Sequence, residues 1–141
     1  MRTGAVTLTI DSHLDHVFLV GVAVHRICAA VDLGEQVAGE VEAAVVEAVN
    51  NAIEHAYANR PGHQVDVRVR LEPDRVLVQV CDDGRAIPAE TWRAAAAEPE
   101  RLAERGRGMT IMRGFMDEVQ YAREAGRNVV TMIKRIPAGA A

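Results

Sequence analysis

Three short stretches carry residue types suited to chemistry. VEAVNNAIEHAY (46–57) places Glu47, Asn51 and His55 at four-residue intervals, which on a helix stacks them along one stripe. A carboxylate and a carboxamide one turn apart suit a proton acceptor beside a hard-cation ligand. Such oxygens bind Mg2+ while it keeps several waters and shares substrate phosphates. VCDDGRAIP (80–88) ends an apolar run on Asp82 and sets Gly84 two residues on. An acid at a strand end, beside a residue that lets backbone approach closely, suits a ligand contact. ERGRGMTIM (104–112) puts Gly106 and Gly108 ahead of a predicted helix, whose first N–H groups and positive dipole end attract phosphate. Arg105 and Arg107 add positive charge there. Each stretch alone has an ordinary alternative: a solvated helix face, an Asp-Gly turn, a loose helix start.

The elements that must position these residues follow from hydrophobic periodicity. AVTLTI alternates, with Val6, Leu8 and Ile10 on one face, and predicts a strand. Ser12 as N-cap with Asp15 three residues on predicts a helix start. Leu14, Phe18, Gly21, Val22, Ile27, Cys28 and Val31 continue it at helical spacing, and Gly34 stops it. Val37, Val41, Val45, Ala48, Val49, Ala52, Ile53 and Ala56 predict a second helix from Glu35 to Tyr57. Asn50 and Asn51, both poor helix formers, stand inside it. QVDVRVRL and VLVQVCD, separated by a turn at EPDR, predict a hairpin. A short helix at MTIMRGFM and a second hairpin, EVQYARE and VVTMIKRI around a turn at AGRN, complete the chain. The order β-α-α-β-β-loop-α-β-β predicts an α+β two-layer sandwich, with a mixed, mostly antiparallel sheet and helices on one face.

Bulk composition narrows the function classes. The 141 residues suit one domain. With 49% apolar and 26% charged residues the chain has the balance of a globular protein, so disorder is not expected. Five aromatic residues leave the core to Val, Ala, Leu and Ile. A net charge of −4 argues against a nucleic-acid surface built on overall basicity. Cys28 and Cys81 read as buried free thiols, and no Cys/His spacing resembles a zinc site. The N-terminal residues lack a signal-peptide apolar region, and no apolar run approaches the roughly 20 residues that span a bilayer. The expectation is a cytoplasmic protein with no membrane contact and no direct nucleic-acid contact.

Taken in order, the three stretches resemble the ATP-binding fold of the GHKL superfamily, and within it the bacterial anti-sigma factor serine kinases of the RsbW type. EAVNNAIEHAY resembles the N box, DDGRAIP the first glycine box and GRGMTIMRGFMDEV the second. The resemblance covers nearly the whole chain as a single domain, with an ATP lid at about 89–105. It implies Mg2+ coordination by Asn51 and a general base at Glu47. It implies that Asp82 accepts a hydrogen bond from the adenine amino group, with Gly84 beside the base. Gly106 and Gly108 would hinge the lid and approach the phosphates, with Arg105, Arg107 and Met109 completing the nucleotide contacts. His55 and Asn50 are assigned no chemistry. The family's usual second glycine is Ala86 here, whose added methyl group is expected to crowd the base pocket or the hinge. By resemblance the chain is an anti-sigma factor that binds Mg-ATP, sequesters a sigma factor, phosphorylates an anti-anti-sigma protein of the STAS type on serine, and forms a homodimer. The alternative is a nucleotide-binding partner switch without kinase activity. A sensor-kinase or mechanical-ATPase catalytic domain fits less well, because 141 residues include neither a phosphorylatable dimerisation hairpin nor a transducer domain.

Overall fold

A computed structural model describes residues 3–88 and 107–136, with the backbone alone over 107–110. Strand β1 (Gly4–Asp11) leads through a 3-10 turn (Leu14–His16) into helix α1 (Val17–Ala30). Helix α2 (Glu35–Asn51) continues as a π turn (Ala52–Ala56). Strands β2 (Gln64–Glu72) and β3 (Arg75–Asp82) form a hairpin. Helix α3 (Arg107–Phe115) precedes a second hairpin, β4 (Glu118–Glu124) and β5 (Arg127–Arg135). The five strands lie in the order β1-β2-β3-β5-β4. Every pairing among them is antiparallel, so the sheet is not mixed. The α+β class and the element order are as the sequence predicts.

The strand pattern explains which face the helices cover. Val65, Val67, Val69 and Leu71 of β2 and Val76, Val78 and Val80 of β3 are all buried, as two-residue alternation requires. Helix α2 lies at the centre of the helical layer and packs against both α1 and α3. Its inward positions Ala38, Ala44 and Ala48 are small, which lets its neighbours approach closely, while Val41, Val45 and Val49 fill the space above the sheet. Lys134 of β5 bonds to Glu40 of α2 and donates to the Phe115 carbonyl at 2.8 Å, closing the C-terminal end of α3.

Four local expectations are corrected. Ser12 does not cap the first helix. Its buried hydroxyl donates to the Arg60 carbonyl (2.6 Å) and accepts from the His63 N–H (3.1 Å), and His13 caps the 3-10 turn instead. Gly34 stands at the entry of α2; α1 has already ended at Ala30. The second helix is not α-helical to Tyr57, since its last turn opens to π geometry after Asn51. On α1 the core face is Val17, Val20, Val24 and Cys28, whereas Leu14 just ahead of the helix and Phe18 and Val22 on it face outward, Phe18 at 62% exposure. Both cysteines are buried and free, and burial pushes the Cys28 thiol up to about 11. Among the described residues no helix is long and apolar enough to cross a membrane.

Candidate functional site

The end of α2 and the end of β3 meet at one cavity. Asn51 and Asp82 line it together with Ala48, Ala52, Val80, Ile87, Met112 and Val130. Two polar side chains therefore face each other across apolar walls, the usual composition of a small-molecule site. The cavity measures about 10 Å3, roughly the space of one water.

The π turn brings the two walls together. The Tyr57 N–H reaches back five residues to the Ala52 carbonyl (3.1 Å). Turns of this kind are rare and cluster at functional sites. The last carbonyls of this helix end are taken by the segment after β3. Ala56 accepts from the Arg85 N–H (3.0 Å), and His55 accepts from Arg85 Nε (2.7 Å). Tyr57 adds a third tie, donating to the Gln64 carbonyl (2.7 Å) and accepting from the Asp83 N–H (2.8 Å). The four-residue spacing that predicts a Glu47–Asn51–His55 stripe ends at Asn51, because the wider turn changes the register beyond it.

Gly84 serves this same junction. A Cβ built there would lie 2.4 Å from the Ala56 carbonyl oxygen, a backbone atom that cannot swing aside. Its missing side chain thus admits the helix end. Gly84→Ala is expected to lower the melting temperature and to expose Tyr57 to quenchers of its fluorescence. An unchanged melting temperature would show that the loop relaxes without cost. Ala86, by contrast, is exposed, is absent from the cavity lining and has no positive φ.

Asp82 is 3% exposed, and burial raises its carboxyl pKa against the lowering effect of two hydrogen bonds. Both bonds fall on one oxygen: Oδ1 accepts from the Gly84 N–H (2.9 Å) and from Asn128 Nδ2 (2.8 Å). No hydrogen-bond partner of Oδ2 lies among the described residues, which leaves it as the free acceptor of a side chain that lines the cavity. Glu47 sits one turn before Asn51, half-buried. Burial raises its pKa first, and the nearby Glu54 carboxylate adds to the rise. Neither Glu47 nor Asn51 has a side-chain hydrogen-bond or ion-pair partner among the described residues. Both are thus available to a ligand.

Sequence reasoning missed Asn128, Tyr121 and Arg123. Asn128 is fully buried opposite Asp82 in the β3–β5 register. The sequence reading places it within the turn AGRN. The two-residue turn is in fact Ala125–Gly126, both at positive φ, and Asn128 lies within β5. An asparagine inside a strand of Val and Met was the available signal. Gly108 and Met109 lie in the first turn of α3, which begins at Arg107 rather than Gly108. Arg105, Gly106 and the segment expected to be the lid lie outside the described residues.

Residues 10–134 match the family model of the histidine kinase-like ATPase domain. The chain belongs to that family, and an ATPase domain implies ATP binding. Within it the resemblance is to the RsbW-type anti-sigma factors. An anti-sigma F factor of Geobacillus stearothermophilus is 36% identical over 98 residues, covering 68% of this chain and 67% of that one. The anti-sigma F factor of Clostridium beijerinckii is 30% identical over 116 residues, 81% of each. The crystal structure of the RsbU and RsbW domains of Rv1364c from Mycobacterium tuberculosis superposes with a TM-score of 0.70 at 20% identity, over 96% of this chain. The chain spans 33% of the length of that protein, and the likeness concerns the fold.

Proposed function

We propose that this chain is an anti-sigma factor that binds ATP in the Asn51–Asp82 cavity and phosphorylates an anti-anti-sigma protein of the STAS type on serine. The observation that carries this reading is the facing pair, one free carboxylate oxygen of Asp82 and the unpaired Asn51 amide, joined by an apolar lining. The names of the relatives support the sigma factor as the sequestered partner. The reading carries a cytoplasmic location with it, where sigma factors act on polymerase.

The residues fit the nucleotide in kind. Asp82 Oδ2 offers an acceptor to an exocyclic amino group, and Val80, Val130, Ile87 and Met112 offer apolar surface to a flat base. The cavity fits it in size only once Ile87 or Met112 moves aside, because nucleotide-sized sites are roughly 300 Å3 or larger. Met112 stands on α3 and Ile87 just after β3, so entry of the base shifts one or both of these side chains. Among the described residues no cluster of three His, Cys, Asp or Glu could hold a metal. Asn51 therefore would hold Mg2+ with help from nucleotide phosphates and waters. Mg2+, when bound, neutralises phosphate charge. Glu47, its pKa raised by burial, accepts the proton of the incoming serine hydroxyl as the oxygen attacks the terminal phosphorus and the bond from that phosphorus to the bridging oxygen breaks to release ADP. Gly106, Gly108, Arg105, Arg107 and Met109 complete the phosphate contacts in this proposal.

Incubation with labelled ATP, Mg2+ and the purified anti-anti-sigma partner tests the reading. Phosphoserine on the partner supports it. A stable complex without label would leave the non-catalytic partner switch, and absence of ATP binding would overturn both.

We further propose that the chain pairs with a second copy through α1 and the open edge of β1. Leu14, Phe18 and Val22 recur every four residues with Leu19 beside them, and Val6 of the edge strand is exposed as well. An apolar patch of this kind marks an interaction surface. Phe18→Glu is expected to convert the dimer to monomer on size-exclusion chromatography with light scattering, with the melting curve of the monomer still cooperative. A wild-type chain that is already monomeric at high concentration would refute the pairing.

A further inference from the structure

Asn128 is held on all four of its hydrogen-bonding positions. Its Nδ2 donates to Asp82 Oδ1 (2.8 Å) and to the Arg85 carbonyl (2.8 Å). Its Oδ1 accepts from the Tyr121 hydroxyl (2.5 Å) and from the Arg123 guanidinium (2.9 Å). An amide has two donors and two lone pairs, so nothing is left over. The arrangement also permits only one orientation. Turning the amide over would set its oxygen against the Asp82 carboxylate and its NH2 against the Arg123 guanidinium, two repulsive contacts in a buried site.

The same network fixes the segment after β3. Arg123 donates to the Gly84 carbonyl (3.0 Å), and the Tyr121 hydroxyl accepts from the Ile87 N–H (3.1 Å). Asn128 therefore touches, directly or through one group, the cavity-lining Asp82 and Ile87 and the chain between them at Gly84 and Arg85. Its most specific effect is on Asp82. With Asn128 and the Gly84 N–H both on Oδ1, the carboxylate cannot rotate to share its oxygens, and Oδ2 alone is presented to the cavity as an acceptor.

We propose that Asn128 is a positioning residue that sets the base selectivity of the site, by locking Asp82 so that one ionised oxygen reads an amino group and repels a carbonyl. The proposal rests on the nucleotide reading given above. A purine bearing an amino group at ring position 6 donates to that oxygen; one bearing an oxygen there meets a like charge. Freed from Asn128, the carboxylate can rotate or take up a proton, and a protonated carboxyl accepts or donates with either ring.

Dissociation constants for ATP and inosine triphosphate, with Mg2+, test this in the whole chain and in Asn128→Ala and Tyr121→Phe. The wild type is expected to prefer ATP by roughly 10- to 100-fold, the worth of one hydrogen bond to a charged group. Asn128→Ala is expected to reduce the preference to about threefold or less, and Tyr121→Phe to an intermediate ratio. Variants that keep the wild-type ratio, or lose both nucleotides by one common factor, would show that Asn128 merely holds the fold. If circular dichroism shows Asn128→Ala unfolded, Tyr121→Phe decides: a reduced ratio supports the role and an unchanged ratio overturns it. A wild type that binds neither nucleotide overturns the nucleotide reading itself, a result distinct from an unchanged ratio in the variants.

Discussion

Replacing Glu47 with alanine is expected to lower the rate of phosphotransfer to the partner protein by about 10^2- to 10^4-fold, the usual contribution of a positioned base. ATP affinity is expected to change little, because Glu47 does not line the base cavity and lies a full turn from Asn51. The separation of the two effects is the test. Single-turnover labelling and equilibrium ATP binding, measured on the same preparation, must part company. The pH dependence adds a second handle. Burial and the neighbouring Glu54 both raise the Glu47 pKa, so the rate of the wild type should climb with pH through a midpoint above the ordinary glutamate value of about 4.3. Glu47→Ala should lack that limb. Full-rate transfer by the variant would remove Glu47 from the chemistry.

The second large effect is at Asp82. Asp82→Asn keeps a carbonyl oxygen for the Gly84 N–H and the Asn128 amide, and removes a buried charge. ATP affinity is expected to fall by roughly 10- to 100-fold, since the acceptor facing the cavity becomes a neutral amide or a donor. Stability at neutral pH is expected to hold or rise. The sign follows from linkage. Burial raises the pKa of Asp82 in the folded state, so over the interval above the unfolded value of about 3.9 the folded chain keeps a proton that the unfolded chain has lost. Stability from this group therefore declines as pH rises through that interval. Asp11 and Asp66 act the other way. Hydrogen bonds from His16 and Thr9, respectively, hold their carboxyls low, and their contribution disappears as pH falls. The difference between wild-type and Asp82→Asn melting curves across pH cancels those two and isolates Asp82. A variant that melts lower than wild type at neutral pH would mean that the charge is stabilising here.

How much of this was legible in the sequence depends on how local each cause is. Strands β2 and β3 were legible because alternation is set by the pleat: Val65, Val67, Val69 and Leu71 are inward on any sheet with one covered face. Asp82 and Gly84 were found because they sit in consecutive chain. Helix α1 was recognised as a helix, but not its orientation. It is apolar on more than one side, so periodicity does not say that Val20 and Val24 turn inward while Phe18 and Val22 turn out. The π turn had no signal of its own. The groups that meet this helix end, Arg85 on the His55 and Ala56 carbonyls and the side-chain-free Gly84 against Ala56, lie some thirty residues away in the chain. Asn128 was missed for the same reason: its partners come from β3, β4 and the segment after β3, and only pairing brings them to it.

A π turn is what an α-helix becomes when one extra residue is accommodated without breaking it. The chain from Ala52 onward is thus a residue out of phase with the half of the helix that carries Glu47 and Asn51. Deleting a single residue between Ala52 and Ala56 would therefore remove the bulge and restore ordinary helical bonding, with Tyr57 and the chain after it kept close to their present phase. A deletion earlier in α2 would instead turn Asn51 and everything after it by about 100°. This turn is thus where a change of length in the helix is absorbed without unseating Tyr57 from Asp83 and Gln64.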